Sequence, residues 1–307
     1  MEFGWQASDV IGRILAICTI FGGASVAWMI LGGTIHSRTH SSDARLASRV
    51  QSIWGAEQNQ AAPQANYQQE YEEDQTIVEN GKTKIVKTKH VRSIPVPVTS
   101  SAINVAIDLA HRKKGLLWYS TYKVDFAGEY GFRNPTGAPQ RVYAVLDLPG
   151  ENAVYDDLTV TVNGVARTVG VSGNQVRTEV DLDPGETARV GFKYKSQGLS
   201  QWRYSFGEKV NAVNDFQLKM QTNFADIDFP DNTLAPTTKR TIGSGWELEW
   251  KYKNLLSGYR IAMTMPEKLQ PGPLAAEISF FAPVSLFFFF FLMFIITTLR
   301  GIDLHPM

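Results

Sequence analysis

Cysteine is nearly absent: Cys18 stands alone in 307 residues, which excludes an internal disulfide framework and any cysteine-based zinc site. Net charge is absent as well. Thirty Lys and Arg balance thirty Asp and Glu, so no excess positive field favours phosphate backbones, and nucleic acid is not an expected partner. A phosphate-cradling glycine loop is missing, and so is the Gly-x-Ser-x-Gly setting of a hydrolase nucleophile. Ionisable side chains vanish from two stretches, residues 14–35 and 278–299, each 22 residues long. Without His, Asp, Glu, Lys or Arg these stretches lack the usual marks of ion paths, proton relays and ligated cofactors, so no cofactor is expected.

What fills those stretches is apolar. At 1.5 Å per residue, 22 helical residues reach about 33 Å, enough to cross a hydrocarbon core of ~30 Å. The second includes five consecutive phenylalanines, Phe287 to Phe291. A secretory signal has an apolar region of only ~7–15 residues, and no small-residue cleavage site follows the first run, so it reads as an uncleaved anchor. Residues 1–35 are thus a tail and first transmembrane helix, 278–299 a second, and 300–307 a tail. Arg13 flanks the first span on one side, with Arg38, Arg45 and Arg49 on the other. A loop of this length escapes the positive-inside rule, so charge leaves the orientation open.

The 240-odd residues between the spans change character along their length. Asp43 is placed to cap a short amphipathic helix carrying Leu46, Val50, Ile53 and Trp54, ended by Gly55. Residues 56–75 are Gln-rich and acidic and read as a linker, which with the short helix makes a segment 36–75. From residue 76 the apolar period becomes two. Asn80-Gly81 and Asn163-Gly164 lie between β-branched runs as hairpin turns, and Asp183-Pro184-Gly185 marks another turn. About ten strands over residues 76–265, interrupted by one helix at 101–112, predict a mainly β, sandwich-like domain tethered by two transmembrane helices. Pro266, Pro271 and Pro273 make residues 266–277 a stiff connector.

Candidate sites are few. His36 and His40 have i, i+4 spacing, but no third ligand is evident. Asp226, Asp228 and Asp231 gather three carboxylates without an EF-hand frame, and a plain turn beside Pro230 accounts for them; no metal is expected. His111-Arg112-Lys113-Lys114 reads as a solvated basic turn, and Trp202, Tyr204 and Phe206 as one buried side of a strand. On the first span Gly12, Ala16, Gly23 and Ala27 share a face of small residues, where another helix can approach closely.

Motifs spread along the chain point further. They are Val50-Gln51-Ser52-Ile53-Trp54-Gly55, Tyr194-Lys195-Ser196-Gln197-Gly198, Trp202-Arg203-Tyr204, and Asp226-Ile227-Asp228-Phe229-Pro230. Gly245-Trp246, Pro271-Gly272-Pro273-Leu274-Ala275, Phe281-Ala282-Pro283-Val284-Ser285 and Leu304-His305-Pro306-Met307 continue the series. In order and spacing they resemble the CreD family of bacterial inner-membrane, cell-envelope integrity proteins. The resemblance implies a cytoplasmic amino terminus and a periplasmic β domain, and it supplies no catalytic residues to carry over. Family members continue beyond the His-Pro-Met motif into further transmembrane helices, so the chain is expected to be either a piece of a longer protein or a two-span relative.

The expected function is accordingly non-enzymatic: an inner-membrane protein acting in envelope integrity through protein contacts. An accessory subunit of a larger respiratory, photosynthetic or secretory complex is the alternative, and a carbohydrate- or peptide-binding module a third. The expected partners are membrane lipid and other integral-membrane proteins.

Overall fold

The computed structural model describes residues 7–79, 82–150, 153–207 and 211–300. They form two compact units. One draws on Met1–Arg49, Lys113–Trp118 and Lys268–Met307, the other on Val50–Arg112 and Tyr119–Glu267.

Two helices dominate the first unit. Helix α1 spans Ala7–Trp54, 48 residues, and α2 spans Pro271–Arg300, 30 residues. Their apolar stretches are long enough to cross a membrane. The separate helix expected at Asp43 does not exist, because α1 runs through it without a break. Between His36 and Trp54 there is no Gly or Pro to stop the helix, and Ala44, Arg45, Leu46 and Ala47 favour its continuation. Gly55 ends it at φ +110°, its N–H donating to the Gln51 carbonyl at 2.9 Å. The Pro-rich connector is also shorter than expected, since α2 starts at Pro271. Pro271 and Pro273 sit in its first turn, where a missing N–H costs nothing.

The second unit is mainly β. In chain order its strands begin with β1 (Gln58–Ala61), β2 (Gln64–Glu79), β3 (Lys82–Val96), β4 (Val98–Lys114), β5 (Leu117–Arg133) and β6 (Gln140–Asp147). Then come β7 (Tyr155–Val162), β8 (Val165–Arg167), β9 (Gly170–Ser172), β10 (Gln175–Leu182) and β11 (Thr187–Leu199). Last are β12 (Gln201–Ser205), β13 (Asn211–Thr222), β14 (Thr238–Ile242), β15 (Gly245–Ser257) and β16 (Ile261–Thr264). Eight strands form one sheet in the order β14-β15-β13-β4-β5-β11-β7-β8, five another as β3-β2-β6-β10-β9, and three a small one as β1-β12-β16. All three contribute to a single apolar core, the sandwich-like arrangement that period two predicts. Alternate residues of β11 (Val190, Phe192, Tyr194) and β5 (Val124, Phe126, Tyr130, Phe132) point into it, with Phe126 stacked on Tyr194 at 5.0 Å. Truncating any such buried ring to alanine typically costs about 3–5 kcal/mol.

Two expectations fail here for physical reasons. Residues 101–112, read as helix, belong to strand β4. Ser101, Ile103, Val105 and Ile107 are buried while Ala102, Asn104, Ala106 and Asp108 face out, so alanines on the open face imitated a helix former's pattern. The Gln-rich acidic stretch, read as a linker, forms β1 and most of β2. Its low apolar content is offset by pairing: β2 lies antiparallel to basic β3, with Glu72 opposite Lys89 and Asp74 opposite Lys87. The Asn163-Gly164 turn is as expected, both residues at positive φ (51° and 80°) between β7 and β8. Asn80-Gly81 lies outside the described residues, although the flanking Glu79 and Lys82 are paired. The turn at Gly185 (φ 73°) carries the chain from the five-stranded to the eight-stranded sheet rather than closing a hairpin.

Candidate interaction surfaces

Within the helical unit α1 and α2 touch along a regular seam. Phe280 packs on Gly32, where an added Cβ would lie 3.0 Å from the ring. Thr39 covers Gly272, and Phe21 meets Phe287 edge-on at 6.1 Å. Ser25, Ala276 and Ser279 are buried in the same unit. Cys18, Ser25, Gly32 and Thr39 recur every seven residues, the 3.5-residue period by which antiparallel helices stay in register. This seven-residue spacing is legible in the sequence, beside the stripe at Gly12, Ala16, Gly23 and Ala27.

The stripe itself looks elsewhere. Nine residues at 100° each put Gly23 half a turn away from Gly32 on an ideal helix. Nothing lies within 4 Å of a Cβ built on Gly12 or Gly23; Ala27 is exposed and Ala16 half-buried. Near the other end of the seam a purely apolar cleft of about 440 Å³ is lined by Ile17, Cys18, Phe21, Phe290, Phe291 and Phe294, among others.

The remaining candidates are dispersed. His36 and His40 stack edge-on at 4.9 Å and are both exposed. Asp226, Asp228 and Asp231 are exposed too, and the Asp228 carbonyl accepts from Thr264 N–H at 2.9 Å, tying the loop to β16. Among the described residues no three His, Cys, Asp or Glu side chains converge. His111 lies 2.9 Å from the Pro266 carbonyl, Arg112 sits 3.5 Å over the Trp54 ring, and Trp202 and Tyr204 are fully buried. His111, Arg112 and the aromatic ladder are therefore occupied in packing, while Lys113 of the basic run is exposed.

What the sequence did not disclose is a buried polar seam at the root of the β unit. Gln58 donates to Ser196 Oγ (2.7 Å) and to the Gln197 carbonyl (3.0 Å). Gln60 donates to the Asp147 carbonyl at 3.0 Å and accepts from Tyr194 Oη at 2.6 Å. Tyr122 Oη donates to the Gln201 carbonyl at 2.8 Å, and the hydroxyls of Tyr130 and Tyr204 lie 3.3 Å apart. Burial pushes all four phenols well above their ordinary pKa, and half-buried Tyr155 to about 12. Gly198 belongs to this seam: a Cβ there would meet Tyr122 Oη at 2.4 Å. One at Gly55 would meet the Gln197 carbonyl oxygen at 2.5 Å, and one at Gly245 the Thr222 carbonyl oxygen at 1.9 Å.

No family model and no curated protein matches the chain. Solved structures with similar stretches include a Legionella pneumophila protein to which nutrient binding is ascribed, 10% identical, covering 55% of this chain and 66% of that one at a TM-score of 0.41. Another is an M1 zinc metallopeptidase from Deinococcus radiodurans, 14% identical, covering 56% of this chain and 42% of that one at 0.37. The matches thus span less than two-thirds of either protein's length, and at these scores they carry no argument about function.

Proposed function

We propose that the chain is a membrane-anchored, non-enzymatic protein of CreD type, its β domain in the periplasm, acting in envelope integrity through protein contacts. One observation carries the reading: two of the separated stretches that suggest the family, 50–55 and 194–198, meet where the chain enters the β unit, so closely that a Cβ on Gly55 would lie 2.5 Å from the Gln197 carbonyl oxygen. The residues flanking the stretches tie the junction together. Trp54 Nε1 donates to the Tyr122 carbonyl at 3.4 Å, and Leu199 N–H to the Ala56 carbonyl at 3.2 Å. Arg203 pairs with Glu57 at 2.9 Å, and Met265 N–H donates to the Ser200 carbonyl at 2.8 Å. A close-packed junction of this kind demands particular residue types, as the lack of room for a Cβ at Gly55 and Gly198 illustrates. The two apolar helices supply the anchor.

Contacts with other membrane proteins are assigned to the open face of α1. Removing the chain from a bacterium that carries it should increase detergent sensitivity. The wild-type chain should reverse this, and Gly23→Leu with Ala27→Leu should not, because bulky side chains close the groove a partner helix needs. Complementation by the double variant at equal expression would refute the assigned face. Sidedness is measured separately. In a Cys18→Ser background, Asp226→Cys should react with a membrane-impermeant maleimide on spheroplasts; labelling in inverted vesicles alone would place the β domain in the cytoplasm.

A further inference from the structure

We propose that the tip of the β4–β5 hairpin, with the chain just before α2, is a basic and aromatic collar that binds anionic phospholipid headgroups; this rests on the membrane anchoring proposed above. The tip is Lys113 to Trp118, turned by Gly115 at φ +62°. It is fixed to the helical unit from two sides. The Gln270 side chain accepts from Trp118 N–H at 3.0 Å and donates to the Trp118 carbonyl at 2.6 Å, as a strand neighbour would. Leu46 of α1 lies 3.3 Å from where a Cβ on Gly115 would sit.

Held this way, the tip presents an unusual surface. Lys268 Nζ stands 4.3 Å and Lys113 Nζ 5.8 Å from the Trp118 ring centre. Leu116 is 74% exposed and Leu269 84%, in a unit whose other exposed apolar side chains lie mostly on the membrane-spanning stretches. Pro271, next to Gln270, precedes Ile278, the first residue of the second apolar stretch, by about 11 Å along α2. The headgroup layer is roughly 5–7 Å deep, and the long stem of lysine covers the remainder. From this level the lysine ammonium groups reach the phosphates, and the Trp118 ring lies beside two of them.

Charge names the ligand. From residue 36 to 49, 113 to 118 and 268 to 277, this unit carries six cations (Arg38, Arg45, Arg49, Lys113, Lys114 and Lys268) against two carboxylates, Asp43 and Glu277. A chain neutral overall thus concentrates positive charge where the spans leave the bilayer, complementary to phosphate-bearing anionic lipid.

The test uses the full chain in nanodiscs of equal phosphatidylglycerol and phosphatidylcholine, stripped stepwise with mild detergent, with retained lipid measured by mass spectrometry. Wild type should retain phosphatidylglycerol preferentially, less so at high salt. Lys113→Gln, Lys114→Gln and Lys268→Gln together should reduce the preference, by up to roughly fivefold per lysine, and the three Lys→Arg changes should preserve it. Phosphatidylglycerol carrying a nitroxide quencher on its headgroup should quench the fluorescence that Trp118→Phe removes. An unchanged preference in the glutamine variant, or an unquenched Trp118, overturns the collar. Release of the chain from vesicles by alkaline carbonate would instead overturn the anchoring on which it rests.

Discussion

Raised above about pH 11, the β domain should unfold in one cooperative step, driven by four tyrosines. Tyr122, Tyr130, Tyr194 and Tyr204 have no exposed surface, and desolvation keeps each phenol protonated well above its ordinary pKa of 10.0. In the unfolded chain the same phenols ionise near 10. Above that pH the unfolded state binds fewer protons than the folded one, so the stability these groups contribute is complete below about pH 10 and falls as pH rises toward their folded values. Each withheld ionisation weakens the fold by about 1.4 kcal/mol per pH unit, so four remove about 5 kcal/mol per unit. Domain stabilities of roughly 5–15 kcal/mol are then exhausted between about pH 11 and pH 13. The measurement is phenolate absorbance and near-ultraviolet circular dichroism on the full chain in detergent. The phenolate absorbance of Tyr122, Tyr130, Tyr194 and Tyr204 should appear only as the dichroism collapses. Full phenolate absorbance near pH 10 with the dichroism intact would show that the seam admits water.

The part of the fold most legible in the sequence is the part whose cause is local. A 22-residue run without charge is a property of consecutive residues, and so are the period-two apolar pattern of β11 and the positive-φ demand at Asn163-Gly164. β1 and β2 show where local reading stops. Gln58 and Gln60 look like linker residues until Ser196, Tyr194 and the Asp147 carbonyl, 87 to 138 positions away, satisfy their amides in the core. Acidic β2 looks disordered until basic β3 lies beside it. On the helices both small-residue patterns are visible in the sequence, and only tertiary contact identifies Gly32 and Thr39 as the seam within the chain and leaves Gly12 and Gly23 open.

The far end of the β2–β3 hairpin should exchange its amide hydrogens at least about a thousandfold faster than β5 and β11. β2 is held to the rest of its sheet by β6 only over Gln64–Tyr67. Beyond that point, among the described residues, residues 68–79 and 82–93 pair with each other alone, Gln68 with Ser93 out to Glu79 with Lys82. A two-stranded ribbon without a third strand or an apolar face is marginal in water. Its cross-strand polar contacts, the Lys87–Glu72 ion pair at 3.4 Å and His90 beside Glu73 at 3.7 Å, join largely exposed side chains and add at most about 1 kcal/mol each. β11 sits between β5 and β7 with Val190, Phe192 and Tyr194 in the core, so its amides open only as the domain does. A gap of about 4 kcal/mol between local and global opening already gives the thousandfold ratio. Exchange read by mass spectrometry on the full chain in nanodiscs decides it. Protection over residues 68–79 equal to that of β11 would mean that the ribbon's edges are paired, and the strand covering them would then have to come from another molecule.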